Sequence, residues 1–277
     1  MRVTILTLAV SLALAGTAAR AADSKGELLF HIGGCTNCHT AKDGALLAGG
    51  DPIATPFGNF IAPNITPDPE TGIGRWSLED FVRAMREGRD PAGRPLYPAF
   101  PYTSYTRMSD EDLAALKTYL DSVPAVRQEA RPHELRFPFN LRWGLYLWQW
   151  LFFTPERFAP DPVRDAVWDR GAYLVLGPGH CGECHTPRTF YGVLDWSRPF
   201  AGGQIGKERV PDITPAKTHG LGEWSSSDIA TLLKLGMTPD GDFVGSDMAK
   251  IVNNGTGKLP QPDLDAIVAF LQSLPAS

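Results

Sequence analysis

The 277-residue sequence holds only four cysteines and six histidines, and it has no excess of positive charge. Lys and Arg total 26 against 31 Asp and Glu. That balance argues against nucleic acid as a partner and suits a basic or mixed-charge protein surface. No glycine-rich fingerprint for flavin or nicotinamide is present. There is no acid–base constellation and no second metal cluster, so no catalytic residue is assigned. Strand-like alternation of useful length is missing. Long apolar runs are missing too; the two apolar stretches, near the N-terminus and over 141–153, are too short to span a bilayer comfortably.

The few cysteines are all used in one pattern that occurs twice. Cys35-Thr36-Asn37-Cys38-His39 is repeated as Cys181-Gly182-Glu183-Cys184-His185. C-x-x-C-H reads as covalent attachment of c-type haem. Two thiols one helical turn apart suit thioethers to the two vinyl groups of one porphyrin, and the next residue sets an imidazole beneath the iron. The cofactors expected are therefore two covalently bound haem c. Cys35, Cys38, Cys181 and Cys184 would attach them, with His39 and His185 as proximal ligands. A disulfide gives no reason for the histidines. A four-cysteine zinc site rarely separates its halves by over a hundred residues. A thioredoxin-like motif needs a βαβ setting, which is not seen.

Residues 1–22 read as a secretory signal: Arg2, an apolar run from Val3 to Leu14, then Ala19-Arg20-Ala21. A retained membrane anchor is the competing reading. Export predicts a periplasmic protein, and c-type haem is attached on the outer side of a bacterial membrane. Removing residues 1–21 leaves 24 Lys plus Arg against 31 acids, a net charge of −7.

The chain also contains an internal repeat. Ala62-Pro63-Asn64-Ile65-Thr66-Pro67 matches Val210-Pro211-Asp212-Ile213-Thr214-Pro215, and Gly72-Ile73-Gly74-Arg75-Trp76-Ser77 matches Gly220-Leu221-Gly222-Glu223-Trp224-Ser225, both at an offset of 148. Leu120 to Ala125 matches Leu271 to Ala276 at 151, and the cysteine motifs match at 146. Each copy reads as helices joined by loops. Leu28, Leu29 and Ile32 make a helical stripe over 23–32, and Ala172, Leu174 and Val175 its counterpart over 165–176. Ser77 with Asp80, and Ser225 with Asp228, are N-cap pairs; Gly88 and Gly236 suit the left-handed C-terminal position. The last helices span about 110–122 and 262–273, with Leu113, Leu116, Leu120 and Leu264, Ile267, Leu271 on their faces. The Gly/Pro-rich loops after each motif would wrap the haem, with Trp76 and Trp224 either bonding a propionate or packing in the core.

These motifs resemble a family. Asn64-Ile65-Thr66-Pro67, Gly72-Ile73-Gly74-x-Trp76, Pro101-Tyr102-Thr103-Ser104-Tyr105, Arg170-Gly171-Ala172-Tyr173-Leu174 and His180 to Arg188, together with the cysteine motifs, carry the likeness. The sequence resembles a tandem of two class I cytochrome c domains. More closely it resembles the cytochrome c subunits of periplasmic alcohol, gluconate and related dehydrogenases. The fold expected is all-α: a signal peptide over 1–22, cytochrome c domain 1 over 23–125, a linker with an aromatic helix over 126–163, and cytochrome c domain 2 over 164–277. Two haem domains rather than three depart from the alcohol dehydrogenase subunit pattern, so that specific partner is not carried over.

Such domains place a methionine before the last helix, which points to Met248, 63 residues after His185, as the second distal ligand. Met237, at a helix end, is the rival. The first haem is harder. Met248 pairs with Phe100 at the repeat offset, and phenylalanine cannot ligate iron. Met108, 69 residues after His39, is the candidate ligand, against a reading in which it packs on Leu113 and leaves the haem five-coordinate or differently ligated. Met85 reads as a helix-core residue. His31, His133, His180 and His219 read as packing or surface residues, with bis-histidine ligation as the alternative.

The segment Leu141 to Phe153 holds three of the seven tryptophans, with apolar residues on nearly every side. It reads first as a helix buried between the two domains. A docking surface for a dehydrogenase and a membrane-interface anchor are the alternatives. The function expected is single-electron transfer in the periplasm, from a dehydrogenase as donor toward a cytochrome or oxidase, with peripheral membrane association through a partner. The alternative is a di-haem redox enzyme of peroxidase or thiosulfate-oxidising type, which needs one open haem.

Overall fold

The computed structural model describes residues 24–206 and 208–277; the signal peptide expected over 1–22 lies outside them. Residues 24–32 are helical (α1). They are followed by α2 (Cys35–His39), α3 (Leu78–Glu87), α4 (Tyr102–Tyr105), α5 (Asp110–Ser122), α6 (Gly144–Phe152), α7 (Ala166–Leu176), α8 (Gly182–His185), α9 (Ser226–Leu235), α10 (Ser246–Asn254) and α11 (Gln261–Gln272).

The helix ends follow local chemistry. Ser77 and Ser225 each close a capping box with the acid at the third helical position, satisfying backbone N–H groups that the first turn leaves orphaned. Ser109 caps α5 by accepting from the Asp112 N–H. Gly88 and Gly236 end α3 and α9 at φ of 61° and 74°, a region costly for a residue with a Cβ.

Two large apolar cores form, and a smaller cluster of Phe60, Tyr97 and Leu145 seats α6. The first gathers Leu29, Phe81, Met85, Leu113, Leu116 and Leu120; the second gathers Ala172, Leu174, Ile229, Leu264, Ile267 and Leu271. In each, a helix ahead of the cysteine motif crosses the last helix of its half closely. A Cβ on Gly26 would collide with the Ala115 carbonyl oxygen, and one on Gly171 with the Ala266 carbonyl oxygen. The stripe on α1 divides between the cores. Leu29 and Phe30 enter the first, while Ile32 is buried in the second and Leu28 packs against it.

The expectation of helices and loops alone is corrected by short strands. β1 (Pro52–Thr55) and β2 (Gly58–Ile61) form an antiparallel hairpin, and β3 (Glu134–Leu135) pairs with β2. β4 (Gly203–Ile205) and β5 (Glu208–Val210) form a second hairpin. Strands of two to four residues are too short to show a period, so alternation could not reveal them.

The reading of a buried aromatic helix is also corrected. On and before α6, Trp143 is 68% exposed, Leu147 52% and Trp150 79%; within the helix only Leu145 and Gln149 are buried. Gln149 donates to the carbonyls of Glu87 and Gly88 at 3.2 and 3.1 Å, pinning one face of α6 to the end of α3. Trp148 donates its indole N–H to the Tyr191 carbonyl at 2.9 Å and Phe152 stacks on the Tyr191 ring, while Trp150 stays exposed. Among the described residues, no helix is long and apolar enough to cross a membrane.

Candidate functional site

The two cysteine motifs fold alike. A helical turn in α2 sets Cys35 and Cys38 one turn apart, with His39 directly after, and α8 does the same for Cys184 and His185 with Cys181 at its N-cap. No disulfide joins any of the four cysteines. Burial pushes the thiols of Cys35 and Cys181 up to about 12, with the paired cysteine adding to it. It pushes Cys184 up to about 11, with Glu183 next in weight and smaller contributions from Cys38 and Asp247. Among the described residues no group of three or more His, Cys, Asp or Glu side chains is arranged to hold a metal ion, so the four cysteines do not converge on one zinc site.

Each motif histidine is oriented the same way. The Nδ1 of His39 donates to the Pro63 carbonyl at 2.7 Å, and the Nδ1 of His185 to the Pro211 carbonyl at 2.8 Å. That assignment of the proton leaves Nε2 with its lone pair free, as a proximal iron ligand requires. Burial lowers both imidazoles from their ordinary value and favours the neutral, ligating form. Two cysteines one helical turn apart and one oriented imidazole therefore fit covalently attached haem at both places.

The repeated loops deliver those carbonyls. Asn64 is buried, its Oδ1 accepts from the Thr66 N–H at 2.9 Å, and its Nδ2 donates to the Val126 carbonyl at 2.7 Å. Asp212 accepts from the Thr214 N–H at 2.6 Å in the matching place. Sequence reasoning found the repeat but not the role of Pro63 and Pro211; their place inside the repeated hexapeptide was the available signal.

Met108 is fully buried in the first core, and Cys35, Trp76 and Phe100 pack against that same core. Met85 is a buried core residue, as its helical position predicted. Met248 is half-buried and stands in the first turn of α10, not in the loop expected for it. α10 packs against both α9 and α2, so it lies between the halves of the chain. Met237 is half-buried just past the end of α9. Trp76 and Trp224 pack at the edges of the two cores, and neither indole N–H finds a partner among the described residues.

The remaining histidines make hydrogen bonds and ring contacts of their own. His31 donates through Nδ1 to the Asn254 carbonyl at 3.0 Å, and His180 through Nε2 to the Gly33 carbonyl at 3.2 Å. His133 accepts from the Ile61 N–H at 3.1 Å and packs edge-on against Phe60 and Tyr97. His219 pairs with Thr218 and Ser277.

The chain is similar to several known proteins. A family model described as cytochrome c matches residues 24–124. A diheme cytochrome c-type protein of Cereibacter sphaeroides is 45% identical over 260 residues, covering 91% of this chain and 86% of its own length. The fructose dehydrogenase cytochrome subunit of Gluconobacter japonicus is 40% identical over 94% of this chain, which spans 54% of that protein. The gluconate 2-dehydrogenase cytochrome c subunit of Pantoea cypripedii is 38% identical over 91% of this chain, which spans 59% of it.

Proposed function

The chain belongs to the cytochrome c family, and on that premise we propose that it is a periplasmic di-haem electron carrier serving a dehydrogenase. The observation that carries this reading is the matched pair His39–Pro63 and His185–Pro211, each beside its own two cysteines one helical turn apart. When bound, each haem supplies a one-electron couple at a potential raised by histidine–methionine ligation. Cys35, Cys38, Cys181 and Cys184 would hold the two groups, and His39 and His185 would ligate the irons. Met108 and Met248 are the proposed distal ligands. Trp76 and Trp224 are free to give their indole N–H groups to propionates.

In this reading residues 23–125 and 164–277 are two tandem class I domains, joined by 126–163, and residues 1–22 direct export. The donor is a dehydrogenase of the kind named for the relatives, whose names specify fructose, alcohol or gluconate. The acceptor is a cytochrome or oxidase. The exposed aromatic face of α6 supports peripheral association with a membrane or a membrane-bound partner.

The test is haem content and reactivity of the exported protein. Pyridine haemochrome and intact mass should give two haems per chain, and a reduced dehydrogenase should reduce both without substrate turnover by the cytochrome itself. One haem per chain would sink the di-haem reading. Rapid carbon monoxide binding at one iron would replace the carrier with a peroxidase-type or thiosulfate-oxidising enzyme.

A further inference from the structure

Residues inside each attachment motif bond to the opposite half of the chain. Glu183, between Cys181 and Cys184, accepts through Oε1 from the Thr103 hydroxyl at 2.6 Å and the Ser104 hydroxyl at 2.8 Å, both on α4. Arg188 donates to its Oε2 at 2.5 Å, and the Glu183 side chain is only 8% exposed. In the first motif Asn37 accepts through Oδ1 from the Asn254 side-chain amide at 2.7 Å, at the end of α10. The Gly33 carbonyl, just ahead of the first motif, accepts from Tyr105 at 3.0 Å and from His180, just ahead of the second, at 3.2 Å.

C-x-x-C-H chemistry asks nothing of its two x positions, yet in both motifs the third residue is spent on a tie to the other half. We propose that Glu183 is a positioning residue that fixes the second attachment helix against the first half, and so sets the rate of electron transfer between the two haems. The inference rests on the di-haem reading above. Glu183 adjoins Cys184 directly and lies two residues from Cys181, so displacing it displaces both thioether positions together. A carboxylate that meets two hydroxyls and a guanidinium while nearly excluded from water is held in one geometry. Tunnelling falls steeply with separation, and functional groups must be held within about 0.5 Å to keep their geometry. The transfer moves one electron from a ferrous to a ferric iron, with no bond broken and no proton released; a reduced redox protein supplies the electron.

The test uses the holoprotein with three variants. Glu183→Ala removes the knot, Glu183→Gln keeps an acceptor for the two hydroxyls, and the Thr103→Val/Ser104→Ala pair removes only the donors. Asp228→Ala, which weakens the α9 cap through its bonds to Ser225 and touches no partner of Glu183, serves as a control for stability alone. The readouts are the two-signed Soret circular dichroism of the reduced protein, which reports haem–haem orientation, and inter-haem equilibration after flash reduction. Glu183→Ala and the double variant should reduce the Soret couplet and slow equilibration by about tenfold, the scale on which small misplacements act. Glu183→Gln should restore most of both. Variants that lose thermal stability as the control does, but keep the couplet and the rate, overturn the proposal. A wild type carrying two haems with no couplet and no inter-haem phase overturns it while sparing the di-haem reading; one haem per chain sinks that reading first.

Discussion

The guanidinium of Arg86 donates to the Met108 carbonyl at 2.8 Å, from the last turn of α3. Arg86 is itself buried, and it also pairs with Asp110 at 2.7 Å in the first turn of α5. The backbone of Met108 is therefore anchored independently of its sulfur. Met108→Leu should keep the fold within about 1.5 kcal/mol, since volume and the carbonyl bond survive. If Met108 ligates the first haem, the near-infrared sulfur-to-iron band of that haem disappears and its potential falls. Unchanged spectra and potentials at both haems would reduce Met108 to a packing residue. Met248→Ala should remove the corresponding band of the second haem, and a retained band would rule Met248 out.

Tyr173, on α7, gives its hydroxyl to the buried carboxylate of Asp112 on α5 and accepts from the Ser109 N–H at 3.2 Å. Asp112 keeps an ion pair with Lys25 as its other partner. Tyr173→Phe removes a donor from a buried carboxylate and should cost about 1–3 kcal/mol. Urea unfolding measures it. A change below about 0.5 kcal/mol, the scale of an ordinary surface substitution, would mean that the contact between the halves is not made in solution.

Trp150 projects from α6 with most of its ring exposed. Trp150→Ala should alter stability by no more than about 0.5 kcal/mol while lowering retention on detergent micelles. A loss of several kcal/mol in the monomer would restore the buried-helix reading that the structure replaces.

Asp80 and Asp228 sit below the ordinary carboxylate range, chiefly because the Ser77 and Ser225 hydroxyls donate to them. A depressed folded value stabilises the fold above the unfolded value of 3.8, and that stability is lost as pH falls through the lower folded value. Ser77→Ala should cost about 1 kcal/mol at neutral pH, typical of an N-cap. Its deficit relative to wild type should shrink as pH is taken below 3.8, followed by urea titration across that range. A deficit independent of pH would mean that the reciprocal bond to Asp80 contributes nothing.

The attachment motifs, the repeat, the capping boxes and the glycine helix ends were all legible in the sequence. Their causes act over a few residues: a thiol one turn from another, a serine hydroxyl three residues from an amide, a backbone that needs a positive φ. The tertiary structure alone decided that Ile32 belongs to the second core, that Glu183 bonds to α4 and that α6 turns most of its aromatic side chains outward. It also decided that two proline carbonyls orient the motif histidines. Each of these pairs residues at least 24 positions apart, or depends on which surface no neighbour covers. Local spacing is blind to such pairings, because they follow from the packing of whole helices rather than from any periodicity within one.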